Sequence, residues 1–512
     1  YLIETKQLFL YLRSIMKFNI VRRAINVILS IAICVAQCNS IVSANEIFDA
    51  VGNEQKKTEV EKYFNRLVEL GALKGVAVSV IHKQHTMFEL VAGIQSSDGQ
   101  PLTIDTAMAI GSVSKAFVAA IVMRLASENL LNIEQPISEF IPTLSLGNPF
   151  NDKPVLVKHL LQHRSGITAL IGNRNQASVD TSSIALATAA MSYSGAELAF
   201  PPGEKFIYSN ANYQLLAYII EIVTKQPYES ILHKFIFTPL KMEHSFASRD
   251  NIPGIDIASG FQKSMWGYKT KNTQHSRVTL PQEGLYSSLT DMSVFLKAIL
   301  NNDEAISIGA ASDIYQSKGE LRVDYQYGWF IREYHKQKLV FHFGQSPGFE
   351  SVVAFFPELD LGFVVLTNTQ SAYGQTNVTD AIGNLLPILF DQPLNPNTPN
   401  IIDKSIFYIL NCGLMVLLFW AAVLIRKVIG RTPKKSNDTS ISKDVFVLVN
   451  LALLMLIYIL LIDLPEFNQA NLMVLKLYEP NLYWTIIVAS TITILVLAAR
   501  SYCFYEARRN TE

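Results

Sequence analysis

Between Asn45 and Lys404 the 512-residue chain has no cysteine. That stretch can form no internal disulfide and no thiolate metal site, and it is long enough to bury a core without either. Excess charge is also missing. The 43 acidic residues balance 43 basic ones, so no overall field points to nucleic acid or to an acidic partner. No internal repeat is present, and long apolar runs are confined to the two ends. The chain therefore divides into four parts.

Residues 1–44 read as upstream sequence and a secretory signal peptide with Met16 as the expected start. Lys17, Arg22 and Arg23 form its basic region, Ile25 to Val35 its apolar core, and Val42-Ser43-Ala44 a small-residue cleavage site. Residues 45–390 are the expected folded domain, and 391–404 a linker opened by the Pro- and Asn-rich run DQPLNPNTPN. Residues 405–512 are expected to form a membrane domain, with spans near 405–425, 445–462 and 482–499. The first loop between them is basic (Arg426, Lys427, Arg431, Lys434, Lys435), the second acidic (Asp463, Glu466, Glu479), and the tail carries Arg500, Arg508 and Arg509. The positive-inside rule then puts residues 45–390 outside the cytoplasm of a multi-pass protein, as the signal peptide independently does.

Within the domain, Gly75–Ile81 and Thr86–Ala92 read as a β-hairpin, and strands return at Leu339–Phe343, Ser351–Phe356 and Leu361–Thr367. Helices are predicted after Ser112 and over Val157–Gln162, Tyr213–Thr224, Asp291–Leu300 and Val378–Phe390. Strands at both ends with helices between predict an α+β fold: an antiparallel sheet closed by the first and last segments, with a helical insertion.

Three S-x-x-K pairs occur, at Ser14, Ser112 and Ser440. The first falls in the leader and the last in the loop expected to be cytoplasmic. Ser112 and Lys115 lie where an apolar approach meets a helical run, so hydroxyl and amine share a helix face near unpaired N–H groups. A serine there can be activated by the amine for acyl transfer. Tyr208 and Asn210 stand two apart on a loop held by Pro201, Pro202 and Gly203, able to exchange a proton and bind an amide. His342 and Gly344 fall on a predicted strand, where a glycine would let a ligand approach the backbone. His159 and His163 have the spacing of a zinc pair, but Leu160 replaces the glutamate of H-E-x-x-H and no third ligand is present, so no metal is expected.

In order, GSVSKAF (111–117), KHLLQHRSGI (158–167), PPGEKFIYSN (201–210), PQEGLYSSLTDM (281–292), YGW (327–329), FHFGQSPGF (341–349) and PELDLGFVVLTN (357–368) resemble the serine β-lactamase and penicillin-binding protein superfamily. The nearest branch is the group of class C β-lactamases, D-alanyl-D-alanine carboxypeptidases and esterases. The resemblance spans roughly residues 45–390. It implies Ser112 as acylated nucleophile, Lys115 as its proton partner, Tyr208 as activator, and Asn210 as a substrate-amide ligand. It also places His342, Phe343 and Gly344 at the K-T-G or H-x-G position. The implied oxyanion hole uses the backbone N–H groups of Ser112 and Gln345. The base is left open between Lys115 and Tyr208.

His342 and Phe343 stand where K-T-G offers a lysine charge and a threonine hydroxyl to a substrate carboxylate, a departure that counts against potent β-lactamase activity and leaves peptidase, amidase or esterase activity open. The expected protein is a membrane-anchored serine hydrolase acting through a Ser112 acyl-enzyme on amide or ester bonds of D-alanyl peptide, β-lactam or ester substrates, peptidoglycan-derived ones included, with no cofactor and no nucleic-acid partner. The competing expectation is a non-hydrolytic sensor of penicillin or peptidoglycan fragments.

Overall fold

The computed structural model describes residues 50–150, 153–247, 256–264, 267–271, 276–301, 324–370, 378–394 and 480–509, with isolated positions between 412 and 476. The leader with its Ser14–Lys17 pair, and the Ser440–Lys443 pair, lie outside these residues.

In chain order the strands are β1 (Gly75–His82), β2 (His85–Gly93), β3 (Met108–Ala109), β4 (Gly260–Ser264), β5 (Gly267–Lys271) and β6 (Tyr286–Ser287). They continue with β7 (Asp324–Gln326), β8 (Trp329–Tyr334), β9 (Gln337–Ser346), β10 (Phe349–Phe356), β11 (Leu361–Thr367) and β12 (Thr369–Gln370). Seven of them build one sheet in the order β2-β1-β11-β10-β9-β8-β7, antiparallel at every pairing. The N-terminal hairpin thus lies beside the last long strand, as the strands at the two ends of the sequence predict.

Period-two alternation sends the side chains of the sheet's central strands into two cores. Ala77, Ile81, Val353, Phe355, Val364 and Leu366 enter the inner core with the helices Ser114–Ser127, Asn210–Thr224 and Leu289–Leu300. Val76, Val78, Val80, Val352, Phe356, Phe363 and Val365 enter the outer core against the terminal helices. Val60 and Phe64 of the helix Ala50–Glu69 meet them there, with Ile382, Leu385 and Leu389 from the C-terminal side. Because both faces are covered, the central strands read as unbroken apolar runs.

The helix expected over Val378–Phe390 is two helices, Val378–Gly383 and Leu385–Leu389. Gly383 and Asn384 are weak helix formers, and the Asn384 amide donates instead to the Tyr63 hydroxyl at 2.9 Å. Of the expected spans, 405–425 and 445–462 lie outside the described residues apart from isolated positions. The third, 482–499, falls in the helix Pro480–Arg509, whose side chains are described from 482 to 498 and at 501, 502 and 505. Among the described residues no helix is long and apolar enough to cross a membrane. The three-helix membrane segment expected from the sequence is therefore not shown.

Candidate active site

Ser112 sits in a single 3-10 turn, Gly111–Val113, between β3 and the helix Ser114–Ser127. Neighbours on three sides fix the turn. The Ser114 hydroxyl donates to Gly111 O at 2.7 Å and accepts from Leu285 N at 3.2 Å. Ile110 N donates to Leu285 O at 3.0 Å, and the Ser351 hydroxyl donates to Ile110 O at 2.8 Å.

Two glycines allow the turn to press against β9. Gly111 has φ +54°, and a Cβ there would lie 2.3 Å from Gln345 N. At Gly344 a Cβ would lie 1.9 Å from Ile110 O and 2.3 Å from Ser351 Oγ. The glycine expected to admit a ligand thus admits the protein's own backbone.

The hairpin joining β9 to β10 closes on Ser346 and Phe349, so ladder alternation turns the Gln345 N–H away from β10. On that side β8 pairs with β9 only as far as Phe341, leaving the edge from His342 to Ser346 unpaired by any described strand. The Gln345 N–H therefore faces the Ser112 turn.

Lys115, one helical turn on, is fully buried. Its Nζ donates to Ser112 Oγ at 3.1 Å and to Gln282 O at 2.7 Å, and stands 4.9 Å from the Tyr208 ring centroid. Burial lowers its pKa to about 7, against the pull of the Glu283 carboxylate. Tyr208 arrives on the loop after Pro201, which is tied to the preceding helical segment. Ile207 N donates to His163 O at 2.9 Å, and Ser209 N to His163 Nδ1 at 3.2 Å. Burial pushes the Tyr208 phenol above its ordinary value, while a side-chain hydrogen bond with Ser112 pulls it partly back. Ser112, Lys115 and Tyr208 thus form one hydrogen-bonded group.

Asn210 opens the helix Asn210–Thr224, with its Nδ2 donating to Asn173 Oδ1 at 3.1 Å and Gln176 Oε1 at 2.9 Å. His342 is 1% exposed, and both ring nitrogens are engaged within the protein. Nδ1 meets Phe343 O at 2.6 Å, which makes it the protonated nitrogen, so Nε2 accepts from the Tyr325 hydroxyl at 3.2 Å. Burial, with Lys115 nearby, lowers its pKa to about 3, so the ring is neutral at physiological pH. Phe330 packs on both the Tyr208 ring (centroids 6.2 Å apart) and the His342 ring (5.2 Å). The wall beside Tyr208 is therefore aromatic and uncharged.

His159 and His163 have structural roles. Leu156 N donates to His159 Nδ1 at 3.2 Å, while His163 Nδ1 serves Ser209 and the Asn212 amide, the latter at 2.9 Å.

Sequence reasoning missed the polar cluster beneath the site: Gln176, Gln214, Gln282 and Glu283. The visible signal was Gln214, an amide inside the apolar helical run NANYQLLAYII. A buried polar residue there needs partners.

A serine hydroxyl, a neutralisable amine and a phenol thus meet beside an open strand edge on an α+β scaffold. The chain belongs to the Beta-lactamase family, whose model matches residues 60–382. It is 27% identical over 320 residues to Protein flp of Staphylococcus aureus (strain COL), covering 62% of this chain and 64% of that protein. It is 23% identical over 349 residues to the unguisins hydrolase ungD of Aspergillus violaceofuscus, covering 61% of each. The matched part is thus less than two thirds of either relative's length.

Among solved structures, the octameric penicillin-binding protein homologue from Pyrococcus abyssi matches with TM-score 0.56 and 25% identity, over 70% of this chain and 82% of that one. EstCE1, a hydrolase with promiscuous acyltransferase activity, shares the fold with TM-score 0.56 and 15% identity, over 67% and 99%.

Proposed function

We propose that the protein is a serine hydrolase that opens ester or amide bonds through an acyl-enzyme on Ser112. The observation that carries this reading is the buried Lys115, 3.1 Å from Ser112 Oγ, with its pKa lowered to about 7. At neutral pH a large share of the amine is uncharged and can take the serine proton, while Tyr208, held protonated, cannot begin as the base. Ser112 Oγ attacks the carbonyl carbon as its proton passes to Lys115 Nζ. The oxyanion lies between the N–H groups of Ser112 and Gln345. Tyr208 then delivers a proton to the leaving group and is replenished from Lys115. Water enters for the second half and runs the same transfers in reverse.

The unguisins hydrolase among the relatives supports hydrolysis, and Tyr208 beside Lys115 supports the class C-like branch. With His342 neutral and Phe343 at the neighbouring position, the reading favours substrates bound without a paired carboxylate. A fluorophosphonate probe should label wild type at Ser112 and leave Ser112→Ala unlabelled. Loss of the nucleophile should reduce hydrolysis by about 10³-fold or more. Equal hydrolysis by both proteins would end the proposal.

We also place the enzyme at a membrane, with the domain outside the cytoplasm and class C-type chemistry at its surface. Support comes from the sequence alone: the leader and the charge asymmetry of the C-terminal loops. Carbonate extraction of membranes from expressing cells should leave the full chain in the pellet. Its release into the supernatant would refute the anchor.

A further inference from the structure

His163 grips the chain on both sides of Tyr208. Its backbone oxygen accepts from Ile207 N at 2.9 Å, and its ring Nδ1 accepts from Ser209 N at 3.2 Å. Between those two bonds the imidazole lies against the phenol ring itself, with centroids 4.3 Å apart. His163 is fully buried and takes a φ of +53°, a left-handed conformation unusual outside glycine. Such strain persists only where the surroundings demand it.

The state of the ring follows from its partners. Ser209 N can only donate, and the Asn212 amide nitrogen donates to the same Nδ1 at 2.9 Å, since Asn212 Oδ1 is taken by the Ser165 hydroxyl at 2.7 Å. Nδ1 therefore carries a lone pair, and the proton of the neutral ring sits on Nε2. That nitrogen is buried among the rings of Tyr208, Tyr213 and Tyr325, with no hydrogen-bond partner among the described residues. A second proton would sit on Nδ1 and face two donors. Burial, then the nearby Lys115 and His342, hold the pKa well below the usual histidine value and keep that proton off. An apolar residue would avoid the orphaned Nε2–H. What His163 supplies in return is Nδ1, an acceptor for the peptide next to Tyr208.

We propose that His163 is the positioning residue of Tyr208: its neutral ring, through Nδ1, fixes the peptide that carries the phenol and so sets the phenol's aim at the leaving group above Ser112. This rests on the hydrolase reading of the same site, in which Tyr208 hands that group its proton. The dependence on His163 is then confined to alkyl esters and amides, whose leaving groups need the proton. Two variants separate the acceptor from the ring. In His163→Asn, Oδ1 stands as far along the side chain as Nδ1 does, so the acceptor stays and the ring goes. In His163→Phe the ring stays and the acceptor goes, which leaves the Ser209 N–H unpaired.

The test compares ethyl butyrate with p-nitrophenyl butyrate on the purified full chain, two esters that share an acyl group and differ in the departing oxygen. His163→Phe should lower kcat/KM for ethyl butyrate by about 10²-fold, as expected for misplacing a catalytic group, and for p-nitrophenyl butyrate by at least about tenfold less. His163→Asn should recover at least about tenfold of the loss on ethyl butyrate. In a Tyr208→Phe background, His163→Phe should cost less than about threefold more, because no phenol is left to misplace. Equal losses on the two esters, a full further loss in the Tyr208→Phe background, or an Asn variant no better than the Phe variant overturns the proposal. Whether or not His163→Phe folds, the ¹⁵N spectrum of histidine-labelled wild type bears on the ring directly. The signal that disappears in His163→Asn should show a bare Nδ1 and a protonated Nε2 from pH 5 to pH 8, and the opposite tautomer overturns the proposal. If wild type shows no Ser112-dependent hydrolysis of either ester, the hydrolase reading itself has failed and takes this one with it.

Discussion

Lys115 Nζ lies between Ser112 Oγ, at 3.1 Å, and the backbone oxygen of Gln282, at 2.7 Å, with no exposure to solvent. Its folded pKa is about 7 against an ordinary 10.5, so between those pH values the unfolded chain carries a proton that the folded one lacks. Stability therefore rises with pH across that window, and the burial penalty is present in full below it. Lys115→Met should abolish hydrolysis. At pH 6 it should gain about 1–3 kcal/mol in stability, because the freed Gln282 carbonyl offsets part of the relief. Denaturant unfolding at pH 6 and pH 9 checks this, since the gain must shrink at the higher pH. A Met variant less stable than wild type at pH 6 would show that the amine is not strained by burial.

Tyr208 is raised where Lys115 is lowered, so the two groups hold opposite protonation states near neutrality. Tyr208→Phe should cost about 10²–10⁴-fold in kcat/KM on an alkyl ester, whose leaving alkoxide needs a proton. The loss should be at least tenfold smaller on a p-nitrophenyl ester, whose leaving group needs none. Equal losses on the two esters would move the phenol's role to serine activation.

Much of the fold and site was legible in sequence, and the reason is periodicity. Apolar runs such as Leu361–Thr367 are continuous because both sheet faces are covered, and Ser112, Tyr208 and His342 carry recognisable local motifs. Strands β7 and β8 were missed because Tyr327 and Gly328 break the run at a tight turn, and the charged pair Arg332 and Glu333 interrupts β8. The inward orientation of His342 was also illegible. It depends on Tyr325, seventeen positions away, whose hydroxyl the ring meets across the sheet. Gln176 and Glu283, 107 positions apart, meet only through tertiary packing, which no local pattern encodes.

The Gly111 turn offers a third test. Alanine there must adopt φ near +54° and place its Cβ 2.3 Å from Gln345 N, so either the turn or β9 must yield. The positive φ alone costs about 1 kcal/mol, and displacing one oxyanion donor costs about 10²–10³-fold in kcat. Gly111→Ala should therefore remain folded by circular dichroism while losing kcat by that factor, with KM changed far less. A variant with near wild-type kcat would remove Gln345 from the oxyanion site.

His342 offers the site no positive charge: its pKa is about 3 and both nitrogens are taken by Tyr325 and Phe343. Phe343, 36% exposed, has no side-chain donor to replace it. A substrate carboxylate held by a charged donor gains about 1.5–3 kcal/mol, or roughly 10–100-fold. Without that donor, a peptide ending in D-alanine and its C-terminal amide should differ by less than about threefold in kcat/KM. The ratio should also stay flat from pH 5 to pH 8, because no histidine charge appears in that range. Measuring the pair at both pH values checks the assignment. A preference of tenfold or more for the free acid would require a cation that His342 and Phe343 do not supply.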